Sequence, residues 1–221
     1  MNCEQMRHID DLIQRYPQLE SARQAICAAY HCIEACYENG GKLLIAGNGG
    51  SAADAEHIVG ELMKGFRLPR GIAPKDQEQL LQADVQIGTV LAQNLQGALP
   101  AIALTGHPAL ATAYMNDCNA KLYFAQQVYG LGKAEDVLLC ISTSGNSENI
   151  LYAAVAAKAK GMKVVGLTGG SENRLMALAD HCICAPQTET YKIQELHLPI
   201  YHCLCVMLEE RFFQTKGGQN Q

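Results

Sequence analysis

The stretch that most restricts how this chain can fold is 41–62, GKLLIAGNGGSAADAEHIVGEL. An apolar run at 43–46 reads as a buried strand. It breaks at Gly47, Asn48, Gly49 and Gly50 and restarts at Ser51 as a helix carrying Asp54, Glu56, His57 and Glu61. Strand, glycine turn and helix N-terminus together make a site for an anion, because the first helical amides lack partners and the helix dipole favours negative charge. Ser51 is placed to act as N-cap or as an extra hydroxyl donor. The glycine spacing matches neither the dinucleotide fingerprint GxGxxG nor the phosphate loop GxxxxGK(S/T).

The same rhythm recurs. Short apolar runs at 99–104, 137–142, 163–168 and 181–185 alternate with helical patterns, among them 148–160, 172–179 and a long apolar helix at 193–213. Residues 3–16 and 18–38 read as an N-terminal helical pair, separated at Tyr16-Pro17. Their apolar stripes predict packing on the core or on a neighbouring subunit. Segment 75–96 fits one or two helices. The expected architecture is α/β: a mostly parallel sheet with helices on both faces and its loops gathered at the carboxyl edge.

Composition narrows the function. The net charge is −5 with no basic cluster, which argues against a binder of nucleic-acid backbones. No apolar run reaches the roughly 18 residues of a membrane span, and the polar start MNCEQMRHIDDLIQ is unlike a signal peptide, so the expected location is the cytoplasm. The ten cysteines form no CxxC and read as reduced thiols, with Cys182, Cys184, Cys203 and Cys205 as small core residues. Cys27 and His31 share a helix face, which alone is a weak metal signal.

A second loop, Ser142-Thr143-Ser144-Gly145-Asn146-Ser147, repeats the logic of the first, with four hydroxyls and a glycine between a strand and a helix start. Hydroxyls and free amides can surround a small phosphate without lysine or arginine. A polyphosphate would need more positive charge. A single phosphate on a sugar fits better.

GNGGSAADAEH, the later ISTSGNS and TYKIQELHLPIYH, occurring in that order, resemble the sugar isomerase (SIS) domain family, and within it the sedoheptulose 7-phosphate (phosphoheptose) isomerases. The likeness spans about 35–213 of this sequence. It implies an SIS-type domain over 41–213, preceded by helices at 1–40 and followed by a flexible tail at 214–221. It also implies aldose–ketose isomerisation of sedoheptulose 7-phosphate to D-glycero-D-manno-heptose 7-phosphate, in the supply of heptose for surface polysaccharide. The resemblance assigns phosphate binding to Ser142, Thr143, Ser144 and Ser147. Asn48, Gly49, Gly50 and Ser51 become substrate-positioning residues, with Asn116 and Asp117 near the open-chain sugar. A zinc set of His57, Glu61, Gln194 and His202 is likewise implied, with Gln194 also touching substrate. So is a homotetramer whose sites draw on neighbouring subunits. Relative to the family's shorter members the chain carries an insertion at 70–97.

His57 and Glu61 stand i,i+4 on one helix face, where imidazole and carboxylate can bind zinc or exchange protons with a ligand at the turn. Gln194 and His202 are harder to join. Eight residues of unbroken helix separate them by about 12 Å and turn them about 80° apart. Pro199 lies between them and removes one helical hydrogen bond. Spacing alone equally allows Glu195 with His202; the resemblance selects Gln194. His197 reads as a core histidine. The expected chemistry has Glu61 move a proton between C1 and C2 through a cis-enediol while His202 shuttles one at the oxygens. Glu61 and His202 argue against a non-catalytic relative that keeps the fold but lacks that pair; a sugar-phosphate sensor, which could dispense with them, and an isomerase of another ketose phosphate stand as alternatives.

Overall fold

The computed structural model describes residues 3–214; of the tail expected at 214–221, 215–221 lie outside the described residues. Five strands, β1 (Leu43–Gly47), β2 (Ala101–Ala103), β3 (Val137–Ser142), β4 (Lys163–Gly169) and β5 (His181–Ala185), form one sheet in the order β2-β1-β3-β4-β5. Every pairing is parallel, with Leu43 opposite both Ala101 and Val137. The helices are α1 (Cys3–Arg15), α2 (Arg23–Glu38), α3 (Gly50–Met63), α4 (Pro74–Ala83), α5 (Val85–Asn94), α6 (Pro108–Asp117), α7 (Tyr123–Leu131), α8 (Glu148–Ala159), α9 (Arg174–Leu178) and α10 (Thr190–Phe213).

Alternation along the strands builds two cores. Leu43, Ile45, Val137, Leu139, Ile141, Val165 and Leu167 face one side, packed with Ile9, Leu12, Ile26 and Ile33 of α1 and α2, Ile58 and Leu62 of α3, and Ile200 and Leu204 of α10. Leu44, Ala46, Leu138, Cys140 and Val164 face the other, with Phe124 and Val128 of α7 and Ile150 and Ala154 of α8. Both faces are apolar because both are covered. The N-terminal helices thus contribute fully buried side chains to this chain's own core.

Several boundaries differ from the sequence reading, for local reasons. The expected helix at 18–38 begins as a 3-10 turn, Pro17–Ala22, before α2. The 75–96 segment is two helices because Asp84, extended at φ −161°, breaks the run and caps α5 by accepting from Ile87 N at 2.7 Å. The helix expected at 172–179 shortens to α9, because Asn173 takes the cap position and its Oδ1 accepts from Met176 N at 3.1 Å. Ser51 is not the N-cap of α3: Gly49 holds that position at φ +58°, and Ser51 is buried inside the first turn.

α10 continues through Pro199. His197 lies fully buried in it, with Nε2 3.3 Å from the Thr168 carbonyl and Nδ1 without a partner. Burial pushes this imidazole down to about 4, against a smaller opposing pull from the Thr168 carbonyl. A depressed histidine binds its proton more readily unfolded than folded. Stability is therefore complete above about pH 6.5 and falls on acidification towards pH 4, by about 3 kcal/mol. Urea unfolding at several pH values should show this slope and should show it flattened in His197→Leu. An equal slope in both proteins would refute the assignment.

Candidate active site

The strand order places the site. β1 is flanked by β2 and β3, so successive crossovers leave in opposite directions and open a crevice beyond the carboxyl ends of β1 and β3. Both glycine–hydroxyl loops end there, one after Gly47 and one after Ser142. Asn48 of the first and Asn149, just past the second, exchange amide hydrogen bonds at 3.0 and 2.9 Å. Asn149 was not singled out from the sequence, although it lies two residues beyond the hydroxyl loop.

The N-cap residues Gly49 of α3 and Ser147 of α8 make no side-chain cap bond, so both helices present N-termini at the crevice, although in α8 Ile150 N donates to Asn149 Oδ1 at 3.0 Å. In the second loop, Ser142 Oγ lies 3.3 Å from Ser147 Oγ, and Ser144 Oγ accepts from Asn146 N at 3.2 Å. Gly145 takes φ +61°, and a Cβ there would collide with the Asn173 amide. That contact and the bond from Arg174 N to Asn146 Oδ1, at 3.1 Å, brace the loop against the start of α9. The loop is thus shaped before any anion arrives.

α3 and α10 lie side by side and run in the same direction. At their N-terminal ends, Gln194 Nε2 would sit 2.5 Å from a Cβ on Gly50, so the last glycine of the turn is what admits the amide. Further along, His57 Nε2 lies 3.1 Å from Glu61 Oε1 and 3.5 Å from His202 Nε2. The structure therefore joins His57, Glu61 and His202. Gln194 it sets on the glycine turn, and Glu195 is exposed. Asn116 and Asp117 end α6 as exposed side chains bonded to each other at 2.8 Å. Among the described residues no hydrogen bond links them to either loop. His31, the other weak metal candidate, bonds Glu34 at 3.1 Å, not Cys27.

Glu61 is buried, and its Oε2 has no hydrogen-bond partner. His202 is held below the ordinary imidazole value, first by burial and then by the neighbouring His57, with Glu61 partly offsetting both. A neutral imidazole beside a carboxylate is able to accept or return protons. Among the described residues no group of three or more His, Cys, Asp or Glu side chains is arranged to hold a metal ion. The chemistry of His57, Glu61 and His202 nonetheless suits a divalent cation: two imidazole nitrogens face each other, and an orphaned carboxylate oxygen lies beside them.

Residues that spacing did not reveal hold this group in place. Tyr201 Oη lies 3.0 Å from His57 Nδ1 and 3.3 Å from Asp54 Oδ1. Arg70 is fully buried and donates to the backbone carbonyls of Glu61 and Leu62 at 2.9 and 2.7 Å, and to Glu209 Oε1 at 2.8 Å. Asp54, three residues before His57 on α3, carried the one helical signal that could have found it.

The profile of the SIS domain family matches residues 7–84 and 85–169. A phosphoheptose isomerase of Aneurinibacillus thermoaerophilus is 39% identical over 180 residues, covering 81% of this chain and 78% of its own length. Among solved structures, a phosphoheptose isomerase from Francisella tularensis superposes with TM-score 0.73 at 36% identity, over 91% of this chain and 94% of the other. The Neisseria gonorrhoeae phosphoheptose isomerase gives TM-score 0.71 at 31% identity, over 93% and 96%.

Proposed function

We propose, from the premise that this chain belongs to the SIS-domain family and within it to the phosphoheptose isomerases, that it interconverts sedoheptulose 7-phosphate and D-glycero-D-manno-heptose 7-phosphate. The chain is an isomerase of a phosphorylated heptose; the particular sugar pair is our assignment. The observation that carries the mechanism is the meeting of His57, Glu61 and His202 between α3 and α10, the two helices whose first turns meet at the glycine turn.

In this reading the phosphate is taken by Ser142, Thr143, Ser144 and Ser147 and the first turn of α8. Asn48, Gly49, Gly50, Ser51 and Gln194 orient the sugar. Asn116 and Asp117 border its open-chain end. Glu61 removes the proton from one of C1 and C2 and returns it to the other through a cis-enediol, and His202 moves the proton between the two oxygens. Each transfer needs its group within about 3 Å of the proton.

Zinc held by His57, Glu61 and His202 would polarise the carbonyl and hydroxyl oxygens; Gln194, the fourth member that the resemblance implies, stands against Gly50, about two helical turns from His202. A carboxylate bound to a metal is a weaker base. Glu61 has two oxygens with different surroundings, Oε1 against His57 and Oε2 without a partner, which is compatible with both roles. A homotetramer belongs to the same proposal. Val85, Ile87 and Val90 on α5 are exposed apolar side chains available for subunit contact.

The test is discontinuous isomerisation of sedoheptulose 7-phosphate by metal-free and zinc-loaded protein, beside a panel of pentulose and hexulose phosphates, with light scattering for the mass. We expect zinc-dependent conversion of the heptulose above all other sugars, by a particle of four chains. Preference for a shorter ketose phosphate would overturn the sugar assignment. Binding of sugar phosphates without any turnover would favour a sensor.

A further inference from the structure

His57 is engaged on both ring nitrogens. Nε2 faces Glu61 Oε1 at 3.1 Å and His202 Nε2 at 3.5 Å, while Nδ1 faces Tyr201 Oη at 3.0 Å, and Tyr201 Oη in turn reaches Asp54 Oδ1 at 3.3 Å. Asp54, Tyr201, His57 and Glu61 therefore form a chain with three links. A phenol and a neutral imidazole bring only two protons to it, so one link is left without a proton.

The surroundings decide which. Asp54 Oδ2 is buried with no partner, and Tyr201 is the hydrogen-bond donor to its other oxygen. Glu61 has the Lys64 ammonium 3.9 Å from Oε2. Withdrawing the phenol proton would leave the Asp54 carboxylate with neither a donor nor an ion-pair partner among the described residues, whereas withdrawing the imidazole proton leaves Glu61 without a donor but with the Lys64 ammonium 3.9 Å away. Emptying the middle link would set the lone pairs of His57 Nδ1 and Tyr201 Oη against each other at 3.0 Å, so the carboxylate with the cation is the one left without a proton.

We infer that Tyr201 and Asp54 are positioning residues for His57: the phenol donates to Asp54, its oxygen accepts the His57 Nδ1 proton, and the unprotonated Nε2 is turned towards Glu61 and His202. Tyr201 lies on α10 and Asp54 on α3, so the bond also sets the register between the helices that carry the three donors. The inference rests on the reading of His57, Glu61 and His202 as one working group. An imidazole whose other nitrogen is anchored in this way is the form that binds a divalent cation, and loss of such an outer partner weakens metal binding about 10–100-fold.

Two measurements separate this inference from the metal reading. In ¹⁵N-labelled metal-free protein, long-range ¹H–¹⁵N spectra taken where His57 is neutral should show its proton on Nδ1, and Tyr201→Phe should move population to Nε2. Zinc affinity, read by competition with a chromophoric chelator, should fall about 10–100-fold in Tyr201→Phe. It should fall in Asp54→Asn as well, because the new amide can donate to the phenol oxygen and turn the phenol proton onto Nδ1. Near-native melting temperatures would show that both variants fold. A wild-type His57 protonated on Nε2 overturns the inference, whether or not the variants fold. So does unchanged zinc affinity in both variants. Wild-type protein that binds no zinc yet carries its proton on Nδ1 would sink the metal reading and leave the positioning role standing.

Discussion

Glu61→Gln is expected to lower turnover of the heptulose phosphate on the order of 10³-fold or more while leaving phosphate binding near the wild-type value. The amide is the same size, so α3 and its neighbours need not move, but it cannot take a proton from carbon. General acid–base catalysis by a placed side chain contributes roughly 10²–10⁴-fold. Glu61 is buried, with one oxygen against His57 and the other without a partner, so no second carboxylate among its contacts can replace it. The hydroxyl loop at 142–147, the proposed phosphate site, shares no hydrogen bond with it and should be indifferent. The assay is made at saturating zinc, because in the proposed metal set the substitution would also weaken a ligand, and binding is followed by calorimetry with a sugar phosphate. Turnover within tenfold of wild type would remove Glu61 from the chemistry.

The second large effect is on stability. Arg70 and Glu209 are a fully buried ion pair, and every strong bond they make ties separate elements together. Arg70 covers the terminal carbonyls of α3, where that helix has run out of its own donors. Glu209, on α10, accepts from Phe66 N and Arg67 N at 2.8 Å each. Burial alone would raise the Glu209 carboxyl, but those two amides and Arg70 more than compensate and hold it below the ordinary carboxylate value. Arg70→Met leaves the carboxylate buried without its cation and takes a donor from two helix-end carbonyls, of which Leu62 O keeps Leu99 N at 2.9 Å, a loss of about 3–5 kcal/mol. For a chain of this length that is a fall in melting temperature of about 6–20 °C. The double variant Arg70→Met/Glu209→Leu should recover part of the loss, since it removes the uncompensated charge. A single variant within 1 kcal/mol of wild type, by urea unfolding, would show that the pair is dispensable.

How much of this was legible in the sequence depended on distance along the chain. The strand at 43–47, the glycine turn and the helix after it were readable because apolar run, glycine and helical spacing are all local. The hydroxyl loop at 142–147 was readable for the same reason, and so was the His57–Glu61 pair, which one helical turn brings together. Helix ends were less so. Whether Ser51 or Gly49 caps α3, and whether Asp84 breaks 75–96, turned on single backbone angles that composition does not dictate.

By itself, then, the sequence determined the alternation of strands and helices, the two glycine–hydroxyl loops, and the reaction class that its motifs resemble. Tertiary structure decided which side chains meet. β1 lies between β2 and β3, and only that order brings two loops about a hundred residues apart to one crevice, where Asn48 and Asn149 bond. α10 runs alongside α3 in one direction, and only that packing puts Gln194 on Gly50 and His202 against His57. The physical reason is the same in both cases. Turn chemistry and helical periodicity act over a few residues, whereas the burial of two apolar faces against one sheet chooses the neighbours of every helix, and with them the partners of each polar group in the site.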